Sequence, residues 1–138
     1  MVTSKNFQYF NNNPKSKGPN KTWNRADCSV RVICVATGLP WVDAYKKMCE
    51  YSLEVYDMPN SHIGLEAVMK GFGFVKGENV KPNKGEKWPL VKDIAKKFKN
   101  DIIIASCCSH TVCCKEGKFF DTFDSGDMTV RKYWIKTK

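Results

Sequence analysis

Negative charge is scarce in this chain of 138 residues, which has 14 Asp and Glu against 23 Lys and Arg and a formal net charge of +9. The basic residues are spread over 5–21, 81–99 and 131–138 and are not massed on one motif. Basic charge favours acidic partners in general. No basic motif interleaved with aromatic residues points to nucleic acid, so we expect a solvated basic surface without a nucleic-acid partner.

Long apolar runs are also absent. The N-terminus, MVTSKNFQYFNNN, has no apolar segment typical of secretory signals, and no stretch approaches the length of a membrane span. The seven Cys are an odd number and cannot all pair in disulfides. We therefore expect free thiols in a reducing cytoplasm and no membrane contact, which also keeps a catalytic Cys usable.

The order of the patterns predicts one α+β domain over residues 1–138, with residues 1–22 as an extended N-terminal arm. The aromatic residues Phe7, Tyr9 and Phe10 are expected to dock this arm on the body. Helical patterns come first, at 28–37, about 41–50, 61–71 and 89–100. Strand patterns come second, at 102–105, 111–114, 119–123 and 133–135. Helices should therefore pack on a C-terminal antiparallel sheet.

Cys28 stands where a polar segment turns into an apolar helix. Val30, Ile33 and Cys34 follow helical spacing, and Gly38 ends the pattern. Asp27 is a suitable N-cap, whose carboxylate would accept from amides of the first turn. Cys28 would then lie in that turn, where the helix dipole favours a thiolate. The alternative interpretation is a small buried hydrophobic residue, as most free Cys are.

His110 could be the base that such a thiol needs, because imidazole titrates near neutral pH. It directly precedes the first strand of a predicted hairpin, and two acids, Asp121 and Asp124, lie near the second strand. A turn at 116–117 would place Asp121 on the face of His110, as its diagonal neighbour, and Asp124 on the opposite face. We therefore predict that Asp121 orients the imidazole.

A cysteine-rich segment near His110 invites a metal interpretation; it contains Cys107, Cys108, Cys113 and Cys114. Adjacent Cys on a strand point to opposite faces, and Cys108 and Cys113 would lie roughly 16 Å apart on an extended chain. The sequence shows no turn between the pairs that would let four ligands converge on one ion, unless Ser109-His110 is sharply bent. We expect no metal and no cofactor, and a structural or surface role for the second histidine, His62.

These residues carry a resemblance to papain-like cysteine peptidases, in particular to small papain-like proteins of phages and bacterial mobile elements. The motifs of that group resemble D-C-x-x-R-A-I-x-x-A-T-G-x-x-[WY]-x-x-x-Y and G-H-x-x-x-x-x-D-G-x-x-x-D-T-W-D. This chain reads Asp27-Cys28-Ser29-Val30-Arg31 through Thr37-Gly38 to Trp41 and Tyr45, and Ser109-His110 through Glu116-Gly117 to Asp121-Thr122-Phe123-Asp124. The opening from Tyr9 to Lys15 is also similar, and a more distant likeness is to peptidases that process bacteriocin leaders.

The resemblance implies a papain-like thiol hydrolase with Cys28 as nucleophile, His110 as base and later acid, and Asp121 as the orienting acid. Its substrate would be a protein or peptide, cleaved at a peptide, isopeptide or amide bond in the host cytoplasm if a phage encodes it. Acyl transfer through the same thioester fits the triad equally. The Gln expected six residues before the Cys is Thr22 here. Asn24 is therefore the predicted oxyanion donor. The alternative is a catalytically silent papain-like protein that binds a host protein or nucleic acid; the oligomeric state stays open.

Overall fold

Four helices and six strands form an α+β structure in a computed structural model that describes residues 3–16 and 26–137. The helices are α1 (Cys28–Thr37), α2 (Trp41–Leu53), α3 (His62–Gly71) and α4 (Val91–Lys97). The strands are β1 (Phe7–Tyr9), β2 (Val75–Lys76), β3 (Asp101–Cys107), β4 (His110–Lys115), β5 (Lys118–Asp121) and β6 (Lys132–Thr137). The predicted α+β class is confirmed.

The six strands make one mixed sheet in the order β1-β5-β4-β3-β6-β2. The expectation of a purely antiparallel sheet is wrong at one edge, because β1 runs parallel to β5. Phe7 lies opposite Phe119, and their ring centroids are 5.6 Å apart. The aromatic residues of the N-terminal arm thus dock as predicted, but they do so as a strand of the sheet.

Local signals set the ends of two helices. Gly38 ends α1 in the left-handed region at φ 80°, and its N–H donates to the Cys34 carbonyl at 2.8 Å. Ser61 caps α3 by accepting from the Gly64 N–H at 3.0 Å. Both boundaries agree with the sequence prediction. The sequence predicts Ile63 in one apolar set of α3 with Leu65, Val68 and Met69, but Ile63 is 57% exposed.

Helix α4 is shorter than predicted. Pro89 was expected in its first turn, but the helix begins at Val91, because the Pro89 carbonyl accepts from the Val130 N–H at 2.8 Å and holds the chain extended. The helix ends at Lys97, three residues before the predicted stop at Asn100.

The core lies on both faces of the sheet. Helices α1, α2 and α3 cover one face, where Ile33, Met48 and Trp134 are buried. Helix α4 covers the other, where Ile94, Ile103 and Phe119 are buried. Within the described part of the chain, no helix is long and apolar enough to cross a membrane.

A tight turn that the sequence did not reveal joins β3 to β4. It consists of Cys108 and Ser109, and it pairs Cys107 with His110. Ser109 adopts φ 58°, a left-handed conformation for which Gly is the usual residue. The dipeptide Cys-Ser is no recognisable turn signal, which explains why a bend near Ser109 was considered only as an exception and no turn was expected.

Candidate active site

Cys28 is the first residue of α1 and lines a cleft of about 360 Å³ together with His110. Asp27 stands at the N-cap position as predicted, but its carboxylate makes no capping hydrogen bond. It accepts instead from the Trp41 indole and the Asn13 amide, both at 3.0 Å. The expected capping role of Asp27 is therefore wrong, and its carboxylate joins α1 to the arm and to α2.

The predicted hairpin register is the one observed. Lys115 pairs with Lys118, so Asp121 falls diagonally from His110, and its Oδ2 lies 2.7 Å from His110 Nε2. Asp124 is engaged elsewhere, because it accepts from the backbone N–H groups of Ser4 and Gly126. The alternation of faces along the hairpin thus correctly predicted Asp121 as the acid that contacts the imidazole.

Three further groups hold the Asp121 carboxylate, which is 2% exposed. Oδ2 also accepts from the Ser125 hydroxyl at 2.6 Å, and Oδ1 accepts from the Thr122 N–H at 2.8 Å. The Arg31 guanidinium lies 3.5 Å from Oδ1. Because these contacts fix both oxygens, the carboxylate presents a set position to the imidazole.

The Cys28 thiol meets donors from two consecutive residues of β4. Burial alone would raise its pKa, but hydrogen bonds with His110 and Thr111 outweigh burial and lower the pKa from 9.0 to about 7. Thr111 takes part through both its side chain and its backbone. Its hydroxyl is buried and makes no hydrogen bond of ordinary length and angle among the described residues, which leaves its proton for the thiolate.

His110 is tuned in the opposite direction. Burial would lower its pKa, but hydrogen bonds with Asp121 and Cys28, and the charges of both, raise the pKa from 6.5 to about 9. Since Nε2 is engaged by Asp121, Nδ1 is the nitrogen that remains for the thiol. Between about pH 7 and 9 the arrangement therefore favours a thiolate beside an imidazolium.

Arg31 connects this site to the start of α1. Its guanidinium pairs with both Asp27 and Asp121, and Arg31 itself is 5% exposed. Sequence reasoning did not assign it a role, although a charged residue four positions after Asp27 on an otherwise apolar helix is a usable signal. Ser125 was also missed, and no pattern around it marks it as a partner of Asp121.

The N-terminal arm completes the support of the acid. The Phe10 N–H donates to the Asp121 carbonyl at 2.8 Å, one residue beyond the pairing of Tyr9 with Asp121. The arm thus lies against the backbone of Asp121, while Asn13 reaches Asp27.

The remaining thiols do not form a metal centre among the residues that the structure describes. All seven Cys are free, and burial raises the pKa of Cys113 to about 12 and that of Cys114 well above 9.0. Such thiols stay protonated and are poor ligands. The second histidine, His62, lines the cleft and accepts from the Lys132 ammonium at 3.1 Å.

Asn24, predicted as the oxyanion donor, and Thr22 lie outside the described residues. No family model, curated protein or solved structure matches the chain. The chemistry of the cleft is therefore the basis on which a function can be inferred.

Proposed function

We propose that this protein is a cysteine hydrolase on a papain-like scaffold, acting on a peptide, isopeptide or amide bond. The observation that carries the proposal is the contact of one imidazole with both Cys28 and a buried carboxylate, at the wall of an open cleft. A nucleophile, a base and a group that orients the base are the parts that acyl transfer through a thioester requires.

In the proposed reaction the Cys28 thiolate attacks the acyl carbon and forms a C–S bond. The electron pair of the carbonyl moves to oxygen, and the tetrahedral oxyanion collapses with loss of the amine, to which imidazolium His110 gives its proton. Neutral His110 then takes a proton from water, which attacks the thioester. The second tetrahedral intermediate collapses, the C–S bond breaks and the acid is released. His110 keeps the proton taken from water, which restores the thiolate–imidazolium pair, with Asp121 holding the ring throughout.

The oxyanion would rest at the start of α1. The first N–H groups of a helix have no acceptor within the helix, so the Cys28 N–H is a suitable donor. Asn24 is the second donor in this proposal, in place of the Gln that papain-like enzymes use.

Residue-resolved alkylation tests the proposal without a known substrate. The protein is treated with iodoacetamide at pH 6, and all seven Cys are quantified by mass spectrometry. At this pH, a thiol of pKa about 7 has a thiolate population about a hundredfold larger than a thiol of pKa 9.0 has. Its thiolate is less nucleophilic, which lowers the rate advantage by about tenfold. We expect Cys28 to react about tenfold faster than exposed Cys108.

His110→Ala should remove this advantage while the rate of Cys108, the internal control, stays unchanged. Asp121→Asn should produce a partial loss. A Cys28 rate no greater than that of Cys108 in the wild type would contradict a preformed ion pair. If a biological effect of the protein then persists in Cys28→Ala, the protein acts through binding alone, which is the alternative function.

A further inference from the structure

Three cations lie next to the cleft in a pocket of about 410 Å³, which we call the basic pocket. Its charged lining comprises Lys76, Arg131, Lys132 and Glu78. Lys132 also lines the cleft, so this residue borders both cavities. A substrate held at Cys28 would therefore reach the basic pocket by passing Lys132.

The pairing of the strands sets the distance between Lys132 and Thr111, the residue that contacts the nucleophile. Ser106 of β3 pairs with Thr111 on one side and with Lys132 on the other. Thr111 contacts the Cys28 thiol. Two strand spacings separate Thr111 from Lys132, which is roughly 10 Å. That distance is two to three residues of an extended peptide.

Neighbouring side chains hold these cations in place. The Lys132 ammonium donates to His62 Nδ1 at 3.1 Å and lies 3.7 Å from Glu66, and Lys76 lies 3.9 Å from the same carboxylate. Arg131 stacks on the Trp88 ring at 4.2 Å. Glu66 lines a neighbouring groove rather than the basic pocket, so it supports the ammonium groups from outside.

The balance of charge in these cavities is positive. Among the residues that the structure describes, Glu78 is the one carboxylate that lines the basic pocket, and no carboxylate lines the cleft. The ordinary partners for such a set of donors are carboxylate and phosphate groups. A single-stranded nucleic acid would also need aromatic rings for stacking, and no Phe, Tyr or Trp of the described chain lines either cavity.

We propose that the substrate of this site is an acidic polypeptide segment, whose carboxylates two to three residues from the scissile bond bind Lys132, Lys76 and Arg131. This inference rests on the proposed hydrolase function and names the substrate class for the same cleft.

A comparison of an anionic with a neutral alkylating reagent tests whether Lys132 makes the surroundings of Cys28 electropositive. Iodoacetate and iodoacetamide react with the same Cys28 thiolate and differ in charge. Lys132→Met should lower the ratio of the iodoacetate rate to the iodoacetamide rate by about twofold to thirtyfold, the range that Coulomb's law gives for one charge at about 8–10 Å between effective dielectric constants of about 80 and about 20. Lys132→Arg should keep the ratio, and Lys118→Met, which removes the same charge on β5, should leave it unchanged.

Protection of Cys28 tests the basic pocket itself. Hexaglutamate should slow iodoacetamide modification of Cys28, hexaglutamine should not, and Lys76→Met and Arg131→Met should weaken the protection severalfold. An unchanged reagent ratio in Lys132→Met, or protection by hexathymidylate but not by hexaglutamate, would overturn the inference. Both outcomes leave the fast reaction of Cys28 with iodoacetamide intact, whereas loss of that fast reaction in the wild type would refute the hydrolase proposal.

Discussion

The Cys28 thiol is set apart from the other six by the residues of β4 that face it. His110 and Thr111 are consecutive, and both hydrogen-bond with Cys28. Cys113, on the same strand, is buried among apolar side chains, and its pKa rises to about 12. Burial acts in the same direction at both thiols, so the difference between them comes from the donors.

The opposite shifts at Cys28 and His110 predict a rate profile with two steps. The lowered pKa of Cys28 means that its alkylation by iodoacetamide should rise as pH increases through about 7. The raised pKa of His110 means that the imidazolium is lost as pH increases through about 9, and the rate should change again there. Rates measured at Cys28 from pH 5 to 10 give the profile.

The variant Asp121→Asn assigns the upper step of that profile. Removing the negative charge beside Nε2 takes away a contact that raises the pKa of His110, so the upper step should move to lower pH. A single step near pH 9 in the wild type would show that Cys28 behaves as an isolated thiol.

At the scale of the elements, Arg31 ties α1 to β5. It is the buried cation between Asp27 at the start of the helix and Asp121 at the end of the strand. The nucleophile lies on the helix, and the orienting acid lies on the strand. The ion pairs therefore fix the two elements that must stay in register for the site to exist.

Removing this link should destabilise the fold. Arg31→Met removes the cation that bridges two buried carboxylates, of which Asp121 keeps its contact with His110, and breaking a buried ion pair in this way costs about 3–5 kcal/mol. Urea unfolding at pH 7 measures the loss. Lys47→Met is the matched control, because it removes an exposed helical ion pair with Glu50 and should change the free energy of unfolding by less than about 0.5 kcal/mol. Equal effects of the two substitutions would contradict the role given to Arg31.

An element could be predicted when the residues that determine it lie close to it along the chain. Helix α1 and the β4–β5 hairpin were predicted because Gly38 and the turn at 116–117 act within a few residues of the structure they end or reverse. The parallel pairing of β1 with β5 has no such signal, since it joins Phe7 to Phe119. Asp27 was misjudged for the same reason, because two of its partners, Asn13 and Trp41, each lie 14 residues away along the chain.

Over the whole molecule, the central strand β3 joins two separate groups of buried side chains. Ile104 belongs to the group under α1, α2 and α3, and Ile103 belongs to the group under α4. Both side chains are fully buried. Because consecutive residues of one strand serve both groups, we expect the two layers to unfold together.

Paired truncations on β3 test this cooperativity. Ile103→Ala and Ile104→Ala should each lower the free energy of unfolding by about 2–5 kcal/mol, the usual cost of such a cavity. Urea unfolding is followed by tryptophan fluorescence and by alkylation of buried Cys113 and Cys114, and each variant should shift both signals to the same midpoint. If a variant shifts the midpoint of one signal and not of the other, the two layers unfold as separate units.

The order of the elements along the chain also determines when the Cys28 thiol can acquire its lowered pKa. A ribosome releases the arm and α1 before β4 and β5. Until β4 and β5 emerge, Cys28 has neither His110 nor Thr111 beside it, and the arm has no strand on which to lie. A nascent chain at that stage therefore carries an ordinary thiol, and the pKa of Cys28 falls only once β4 has been made.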